Sequence, residues 1–152
     1  MHIVLVEPEI PGNTGNIARL CAANGSHLHL VRPLGFSTDD RTLKRAGLDY
    51  WHLVKVHYHD SVYEVIDEYK ESGIHLLTTK AKKRHSDAVY RADDLLIFGK
   101  ETKGLPAELL DRYPDRQVRI PMYAGARSLN LSNAAAIVVY EALRQTDYEG
   151  LI

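Results

Sequence analysis

Only one cysteine occurs among the 152 residues of the sequence. Cys21 therefore cannot form an internal disulfide, and its place inside the apolar stretch IARLCAA predicts a buried thiol in a reducing compartment. The sequence also lacks a run of eighteen apolar residues that could cross a membrane. Because it further lacks a basic leader with a small-residue cleavage site, we expect a soluble, unprocessed, cytoplasmic protein.

Motifs for the common nucleotide cofactors and for metal ions are missing as well. The sequence has no Gly-x-Gly-x-x-Gly fingerprint and no P-loop, which disfavours NAD and ATP as ligands. Two histidine pairs, His27 with His29 and His57 with His59, would each share one face of a strand. Neither pair has further ligands at a familiar spacing along the chain, and no His-Glu-x-x-His occurs, so the sequence predicts no metal site.

An excess of positive charge is also absent. The formal net charge is −1 and the isoelectric point is near 6.7, whereas phosphate contacts need clustered lysine and arginine. The stretch KAKKRH at 80–85 nevertheless carries four formal cations, Lys80, Lys82, Lys83 and Arg84. It is a candidate phosphate-contacting loop, and a solvated loop without a partner is the alternative.

Strand-like and helix-like segments alternate along the chain. The patterns predict strands at 3–8, 27–31, 51–57, 74–79, 94–99 and 117–121. They predict helices at 13–24, from a Ser37 cap to near Gly47, from an Asp60 cap to Ser72, at 106–113 and at 131–146. This alternation indicates one α/β domain over 1–152, with a mainly parallel sheet covered by helices on both faces.

Three glycine-containing or polar loops each follow a predicted strand: PEIPGNTGNIAR at 8–19, FGKETKGLP at 98–106 and IPMYAGARSLNLSN at 120–133. The carboxyl ends of parallel strands meet at one end of a sheet, so we expect the functional site there. In the second loop, Gly99 and Gly104 can turn the backbone around Glu101 and Thr102 as in a ligand cradle. A glycine turn into a helix that begins with Pro106 is the alternative.

The third loop leads into a helix through four polar residues, Ser128, Asn130, Ser132 and Asn133. Four polar residues are more than the capping of one helix needs, and the surplus favours a pocket for carboxylate or ribose groups. The helix that follows is apolar almost all round, which favours either a homodimer interface or a central buried helix.

The first loop contributes an amide and a guanidinium, from Asn13 and Arg19. If the helix starts early, the two side chains can lie along one face, an arrangement that suits a nucleotide phosphate. A surface arginine without a partner is the alternative.

Taken in order, the three loops resemble the three motifs of the SPOUT methyltransferase superfamily, in its TrmH-like ribose 2'-O-methylating branch. The matching segments are NTGNIAR at 13–19, LIFGKETKGLP at 96–106 and RIPMYAGARSLNLSNAAAIVVYEA at 119–142. Two further stretches, at 7–22 and 32–51, are similar to the TrmL group, single-domain enzymes that methylate the wobble nucleotide of certain leucine tRNAs. The resemblance covers nearly the whole chain.

This resemblance implies a homodimer with a deep trefoil knot in the C-terminal third and S-adenosylmethionine as the cofactor, which leaves as S-adenosylhomocysteine. The positions that match the cofactor site are Leu77, Thr78, Gly99, Glu101, Gly104, Ile120, Met122, Ser128 and Leu129. Most of these contacts are expected from the backbone, with the adenine in an apolar slot.

The resemblance also implies catalytic roles. Arg19 matches the residue that activates the 2'-hydroxyl, with Asn13, Glu101, Ser128 and Asn130 around it, and Tyr140 matches a tyrosine linked to activity or substrate engagement. Arginine is a poor base, so a role in orienting the hydroxyl beside a phosphate is physically easier than deprotonation. A core or interface aromatic is the alternative for Tyr140.

We expect no appended RNA-binding domain, so a dimer would have to build the tRNA surface from both subunits. The candidates are Arg41, Lys44 and Arg45 together with the KAKKRH loop. One departure is Lys100, where many relatives have proline. A SPOUT enzyme for an rRNA ribose or an RNA base, and a non-catalytic module that binds S-adenosylmethionine and RNA, are the alternatives.

Overall fold

The computed structural model describes residues 1–38, 41, 45 and 50–152. Within them the strands are β1 (His2–Val6), β2 (His27–Val31), β3 (Val56–His59), β4 (Ile74–Leu77), β5 (Leu95–Phe98) and β6 (Gln117–Val118). The helices whose bounds lie within the described residues are α1 (Pro11–Asn24), α2 (Val62–Glu68), α3 (Ala107–Arg112) and α4 (Leu131–Gln145), and residues 41, 45, 50 and 51 are also helical. Short 3-10 turns cover His85–Asp87 and Pro114–Arg116.

All strand pairs are parallel, and the sheet order is β3-β2-β1-β5-β4-β6. Alternate residues of each strand pack against opposite layers, since side chains along a strand alternate between faces. Ile3 and Leu5 belong to the apolar cluster that includes α1 and α4 residues, whereas Val4 and Val6 belong to the cluster with α2 and α3. The predicted parallel α/β sheet with helices on both faces is therefore confirmed.

Local signals explain where the helices begin and end. α1 ends at Gly25, whose φ of 74° lies in the left-handed region that glycine adopts without strain. α2 begins after Ser61, whose side chain accepts a hydrogen bond from the Tyr63 amide. The prediction of Asp60 as the cap is thus wrong by one residue. Asp60 instead donates its backbone N–H to the Glu64 carboxylate.

The third predicted strand, 51–57, is also wrong. Trp51 is helical, and the strand covers Val56–His59. Trp51 and Val54 are half-buried against the first apolar cluster, so their apolar character reflects packing and not strand geometry. A short apolar run cannot by itself distinguish these two cases.

Two further predictions differ from the structure or lie outside it. The sixth strand is only two residues long, although Arg119 continues as an isolated bridge to Arg84. The helix predicted to end near Gly47, with its Ser37–Asp40 cap, falls in part on residues outside the described set.

Burial agrees with the interpretation of the single cysteine, because Cys21 is 1% exposed and lies in the first apolar cluster. In the part of the chain that the structure describes, none of the helices combines the length and the apolar character needed to cross a membrane.

Candidate functional site

A cavity of about 820 Å³ opens at the carboxyl ends of β4, β5 and β6. Leu77, Phe98 and Val118, the last residues of those strands, line it. The volume lies within the range of small-molecule sites, about 300–1,000 Å³. All nine predicted cofactor positions lie in its wall: Leu77, Thr78, Gly99, Glu101, Gly104, Ile120, Met122, Ser128 and Leu129.

A chain of side-chain hydrogen bonds joins the three loops at this cavity. Asn130 Nδ2 donates to Asn13 Oδ1 at 2.9 Å, and Asn13 Nδ2 donates to Glu101 Oε1 at 3.1 Å. Asn13 is 6% exposed, so its amide is held in one orientation inside the protein. The first, second and third loops are therefore fixed to one another through Asn13.

Glu101 accepts two further hydrogen bonds, from the backbone of the first loop. The Glu9 amide lies 2.8 Å from Oε2, and the Ile10 amide lies 3.1 Å from Oε1. The Glu101 carboxylate thus satisfies donors just before α1, where backbone N–H groups have no partners within the helix. Its oxygens position the first loop.

Sequence reasoning missed a second connection between the same two loops. The Glu9 carboxylate accepts hydrogen bonds from the Thr102 backbone amide at 3.0 Å and from the Thr102 hydroxyl. The side-chain and backbone hydrogen bonds from Thr102 lower the pKa of Glu9. Partners more than ninety positions apart in the sequence leave no spacing signal.

Lys100, the departure from the family pattern, forms an ion pair with Glu7. The hydrogen bond to Glu7 raises the pKa of Lys100. Glu7 itself has a positive φ of 51°, in the region that is unusual for residues other than glycine. The second loop therefore contacts the end of β1 through a charged pair.

The glycines of the second loop are required by geometry. A Cβ on Gly99 would lie 2.1 Å from the Gly104 carbonyl carbon, and Gly104 has a φ of 68°. The Gly104 amide donates to the Lys100 carbonyl at 2.9 Å and closes the turn. At Gly99 and Gly104 the backbone of this loop therefore lines the cavity without a side chain, as the predicted cradle requires.

At the start of α4, Asn130 serves as the cap. Its Oδ1 accepts hydrogen bonds from the Ser132 and Asn133 amides and from the Ser132 hydroxyl. Among the described residues, no group forms a hydrogen bond with the Ser128 hydroxyl, which lies in the cavity wall. Of the four polar residues predicted here, Ser128 and Asn130 line the cavity, and of these two Ser128 is the one whose side chain is uncommitted.

Arg19 does not lie with this group. Its guanidinium carbon lies 4.7 Å from the centre of the Tyr50 ring, and the side chain is exposed, whereas Asn13 is buried against Glu101. The expectation that Asn13 and Arg19 share one face of the helix is thus wrong, because their positions six residues apart point to different sides of α1. Tyr140, on α4, is 45% exposed and is also absent from the cavity wall.

The structure describes six of the seven cations that are predicted to form the RNA-binding surface. Lys80 lines the cavity, and Lys82, Lys83 and Arg84 are exposed in the loop after β4, with Arg84 paired to Asp87 at 2.8 Å. Arg41 and Arg45 are helical and exposed. Lys44 lies outside the described residues.

Comparison with known proteins identifies a family. The model of the SpoU rRNA Methylase family matches residues 1–140. A protein of Yersinia pestis named tRNA (cytidine(34)-2'-O)-methyltransferase is 52% identical over 158 residues, which cover 100% of this chain and 98% of that protein. In Escherichia coli K12, a protein of the same name is 48% identical over 153 residues, which cover 100% of this chain and 98% of that protein.

Solved structures share the fold over nearly the whole chain. One described as "Structural insights into the 2-OH methylation of C/U34 on tRNA" has a TM-score of 0.91 and 43% identity, with 96% of this chain and 95% of that chain covered. The SpoU methyltransferase AviRb from Streptomyces viridochromogenes, in complex with the cofactor AdoMet, has a TM-score of 0.81 and 28% identity. It covers 97% of this chain and 58% of that chain.

Proposed function

The chain belongs to the SpoU rRNA methylase family, within the SPOUT superfamily, and on that premise we propose that it is a tRNA ribose 2'-O-methyltransferase. The substrate is the 2'-hydroxyl of nucleotide 34, the wobble position that the names of its relatives specify. We further propose that the substrates are leucine tRNAs with cytidine or a modified uridine at that position. The observation that carries the proposal is the Asn130–Asn13–Glu101 chain, which joins the three loops around one cavity.

The cavity suits S-adenosylmethionine, which supplies an electrophilic methyl group on a sulfonium when bound. Its wall combines apolar side chains, such as Ile120 and Leu129, with the backbone of residues 99–104. An apolar slot with a few convergent polar groups is typical of sites that hold an aromatic base and a ribose. The close approach of Gly99 to Gly104 leaves no room for a side chain at Gly99, where the backbone meets the cavity.

Asn13, Glu101 and Asn130 act mainly as positioning residues. Their amide and carboxylate groups are committed to one another, to backbone amides and to the α4 cap. Methyl transfer is an in-line displacement, so alignment of the reacting groups supplies much of the rate. A rigid hydrogen-bonded frame provides such alignment.

Arg19 orients the ribose hydroxyl and the neighbouring phosphate. Its guanidinium cannot lose its proton in a protein, which favours a role as a fixed donor over a role as a base. Since Arg19 does not line the cavity of its own chain, we propose a homodimer in which Arg19 of one copy completes the cavity of the other. On α4, Ile137 and Tyr140 are 40% and 45% exposed and offer an apolar surface for that dimer.

Lys80 and the exposed cations that follow it contact the tRNA backbone. Lys80 lies in the cavity wall, so phosphates held by this loop would be next to the reacting ribose. Arg41 and Arg45 extend the same kind of contact, with Lys44 as the remaining candidate. Phosphate contacts of this kind position the substrate and carry no base specificity.

The test incubates the protein with S-adenosylmethionine labelled in its methyl group and with unmodified tRNA. We expect label in tRNA, at the ribose of nucleotide 34 after digestion and mass mapping, and a higher rate with purified leucine tRNAs than with other tRNAs. Arg19→Ala should lower the rate by about a hundredfold or more, and Arg116→Ala, an exposed arginine, should not. Equal rates for Arg19→Ala and the unaltered protein would overturn the role of Arg19.

The shared site has its own test. Arg19→Ala and Gly99→Ala chains are each expected to be inactive, and co-expressed heterodimers should regain activity because one cavity then has both an intact cradle and an intact Arg19. Heterodimers that stay inactive would contradict the sharing of Arg19 between copies. A light-scattering mass equal to one chain would contradict the dimer itself.

A further inference from the structure

Five histidines lie on one face of the neighbouring strands β1, β2 and β3. His2 is paired in register with His27, and His29 with His57, while His59 follows two residues later on β3. Alternate residues of a strand share a face, so the five imidazoles form one layer. His2 and His27 are the first residues of their strands, which places these two imidazoles at the end of the sheet opposite to the methyl-transfer cavity, whereas His59 is the last residue of β3.

Three of these side chains converge on one point. The ligand nitrogens of His2, His27 and His29 all lie within 4.8 Å of one another, and His2 Nδ1 lies 3.0 Å from His29 Nε2. Nitrogen ligands of tetrahedral zinc, at about 2.0–2.1 Å from the metal, are about 3.3 Å apart. The first pair therefore needs to separate by only a few tenths of an ångström, and His27 needs to move inward by a rotation of its side chain.

The surroundings of the three histidines are those of a supported metal site. His29 Nδ1 lies 2.9 Å from His59 Nε2, a hydrogen bond that fixes the ring of His29 and leaves Nε2 directed at His2. Metal-binding histidines characteristically have such a partner on the second ring nitrogen. The His57 ring stacks on the rings of His27 and His29, with centroids 5.5 and 4.7 Å apart.

Two nitrogens in this layer, His27 Nδ1 and His57 Nε2, have no hydrogen-bond partner among the described residues. His27 Nδ1 is buried, and no group among the described residues forms a hydrogen bond with it. A buried polar atom without a partner costs free energy, and coordination would remove that cost. The spacing of the histidines along the chain does not predict this metal site, because the third ligand, His2, comes from a neighbouring strand.

The protonation state of the cluster agrees with this arrangement. Burial is the main cause that lowers the pKa of His2 to about 4 and that of His29 to about 3, and the neighbouring histidines lower both further. Neutral imidazole is the form that coordinates a metal ion.

From this geometry we propose that His2, His27 and His29 bind one divalent transition-metal ion of the Zn²⁺ type, with water as the fourth ligand. The cluster contains only imidazole nitrogens, which suit zinc, copper and nickel and not the oxygen-preferring Mg²⁺ and Ca²⁺. His2 and His29 are buried and His27 is half-buried, so the ion would enter past His27. The ion would stabilise the β1–β2 end of the sheet and would take no part in methyl transfer.

Calorimetric titration of the full chain, without a histidine tag and after dialysis against a chelator, tests the proposal. We expect Zn²⁺ to bind with one ion per chain and Mg²⁺ to give no saturable heat. His27→Ala, at the half-buried position, should bind Zn²⁺ at least about tenfold more weakly. His52→Ala, which removes an exposed histidine outside the cluster, should bind as the unaltered chain does.

A second measurement separates ion binding from a folding defect. Added Zn²⁺ should raise the thermal midpoint of the unaltered chain and of His52→Ala but not that of His27→Ala, with circular dichroism verifying that all three are folded. Absence of saturable Zn²⁺ binding by the folded, unaltered chain would overturn the proposal, and so would equal affinity in folded His27→Ala. Methyl transfer is expected to be the same with and without the chelator, which keeps this test independent of the proposed function.

Discussion

The Asn13 side chain donates a hydrogen bond to Glu101 across 88 positions of sequence, with Nδ2 3.1 Å from Oε1. The same carboxylate accepts the amides of Glu9 and Ile10. Through these contacts one side chain of the second loop fixes both the loop before α1 and the first turn of that helix. The shape of the cavity therefore depends on an acceptor that can receive three donors.

Replacement of Glu101 by Gln should damage this junction. The Gln amide would present an N–H₂ group to part-buried donors that now meet an oxygen, which leaves at least one of these donors without a partner. We expect Glu101→Gln to lower the free energy of unfolding by about 1–3 kcal/mol and to reduce the affinity for S-adenosylmethionine. Denaturant unfolding and calorimetry measure the two effects.

Glu71→Gln serves as the matched control, because Glu71 is exposed. This change should leave stability within about 0.5 kcal/mol of the unaltered chain. If Glu101→Gln were as stable as Glu71→Gln and bound the cofactor equally well, the positioning role of Glu101 would be wrong.

Most of the regular structure could be predicted from the sequence, and the reasons are local. β2 was predicted at 27–31 and lies there, because an apolar run between Gly25 and the Arg32–Pro33 turn has few alternatives. The displaced third strand shows the limit of such patterns. Trp51 and Val54 are apolar because they pack on the sheet from outside it.

The sequence predicts which loops form the site, but it does not predict which side chains in those loops form hydrogen bonds with one another. Parallel strands bring their carboxyl ends together, so the meeting of three loops at one cavity followed from the element order. The choice of Glu101 as acceptor for Glu9 and Ile10 depends on tertiary structure. The same holds for the contact of the Arg19 guanidinium with the Tyr50 ring. The knot implied by the resemblance stays a prediction.

Replacement of each of the two glycines of the second loop by alanine should reduce the affinity for S-adenosylmethionine to different extents. In Gly99→Ala the new Cβ would lie 2.1 Å from backbone carbon of Gly104, so the loop must move. At Gly104 the space is open, and the cost is that of a left-handed φ, about 1–2 kcal/mol. We expect calorimetry to show a larger loss of affinity for S-adenosylmethionine in Gly99→Ala than in Gly104→Ala. The reverse order would contradict the close approach as the feature that shapes the cradle.

The Cys21 thiol should be protected from alkylation in the folded protein. Its burial raises the pKa of Cys21 to about 12, so the reactive thiolate is scarce near neutral pH. We expect iodoacetamide at about pH 8 to modify the chain only after unfolding in guanidinium, where the thiol returns to its usual pKa of about 8.5. Intact mass measures the modification. Rapid alkylation of the native chain would show that Cys21 is more accessible than its 1% exposure indicates.

Asp94 links the start of β5 to the turn before β4. Its carboxylate accepts hydrogen bonds from the Gly73 and Arg91 amides and lies 2.8 Å from His75 Nε2. Burial by itself would raise the pKa of Asp94, but the hydrogen bonds from His75, Arg91 and Gly73 outweigh it and the pKa is lowered. The folded state therefore favours the ionised carboxylate more than the unfolded state does.

Stability should in consequence depend on pH through Asp94. A carboxyl group with a lowered pKa contributes its full stability above the unfolded value of about 3.9 and loses that contribution as the pH falls through the folded value. Asp94→Asn removes the charge and places an amide donor among three donors, so we expect a lower thermal midpoint at neutral pH. The difference in thermal midpoint between this variant and the unaltered chain should narrow below about pH 4. Thermal scans by circular dichroism from about pH 7 to about pH 3 measure this difference.

Asp93→Asn, at the exposed neighbouring position, should follow the unaltered chain at every pH. A gap between Asp94→Asn and the unaltered chain that stayed constant down to the lowest pH would mean that shape and not charge explains the role of Asp94.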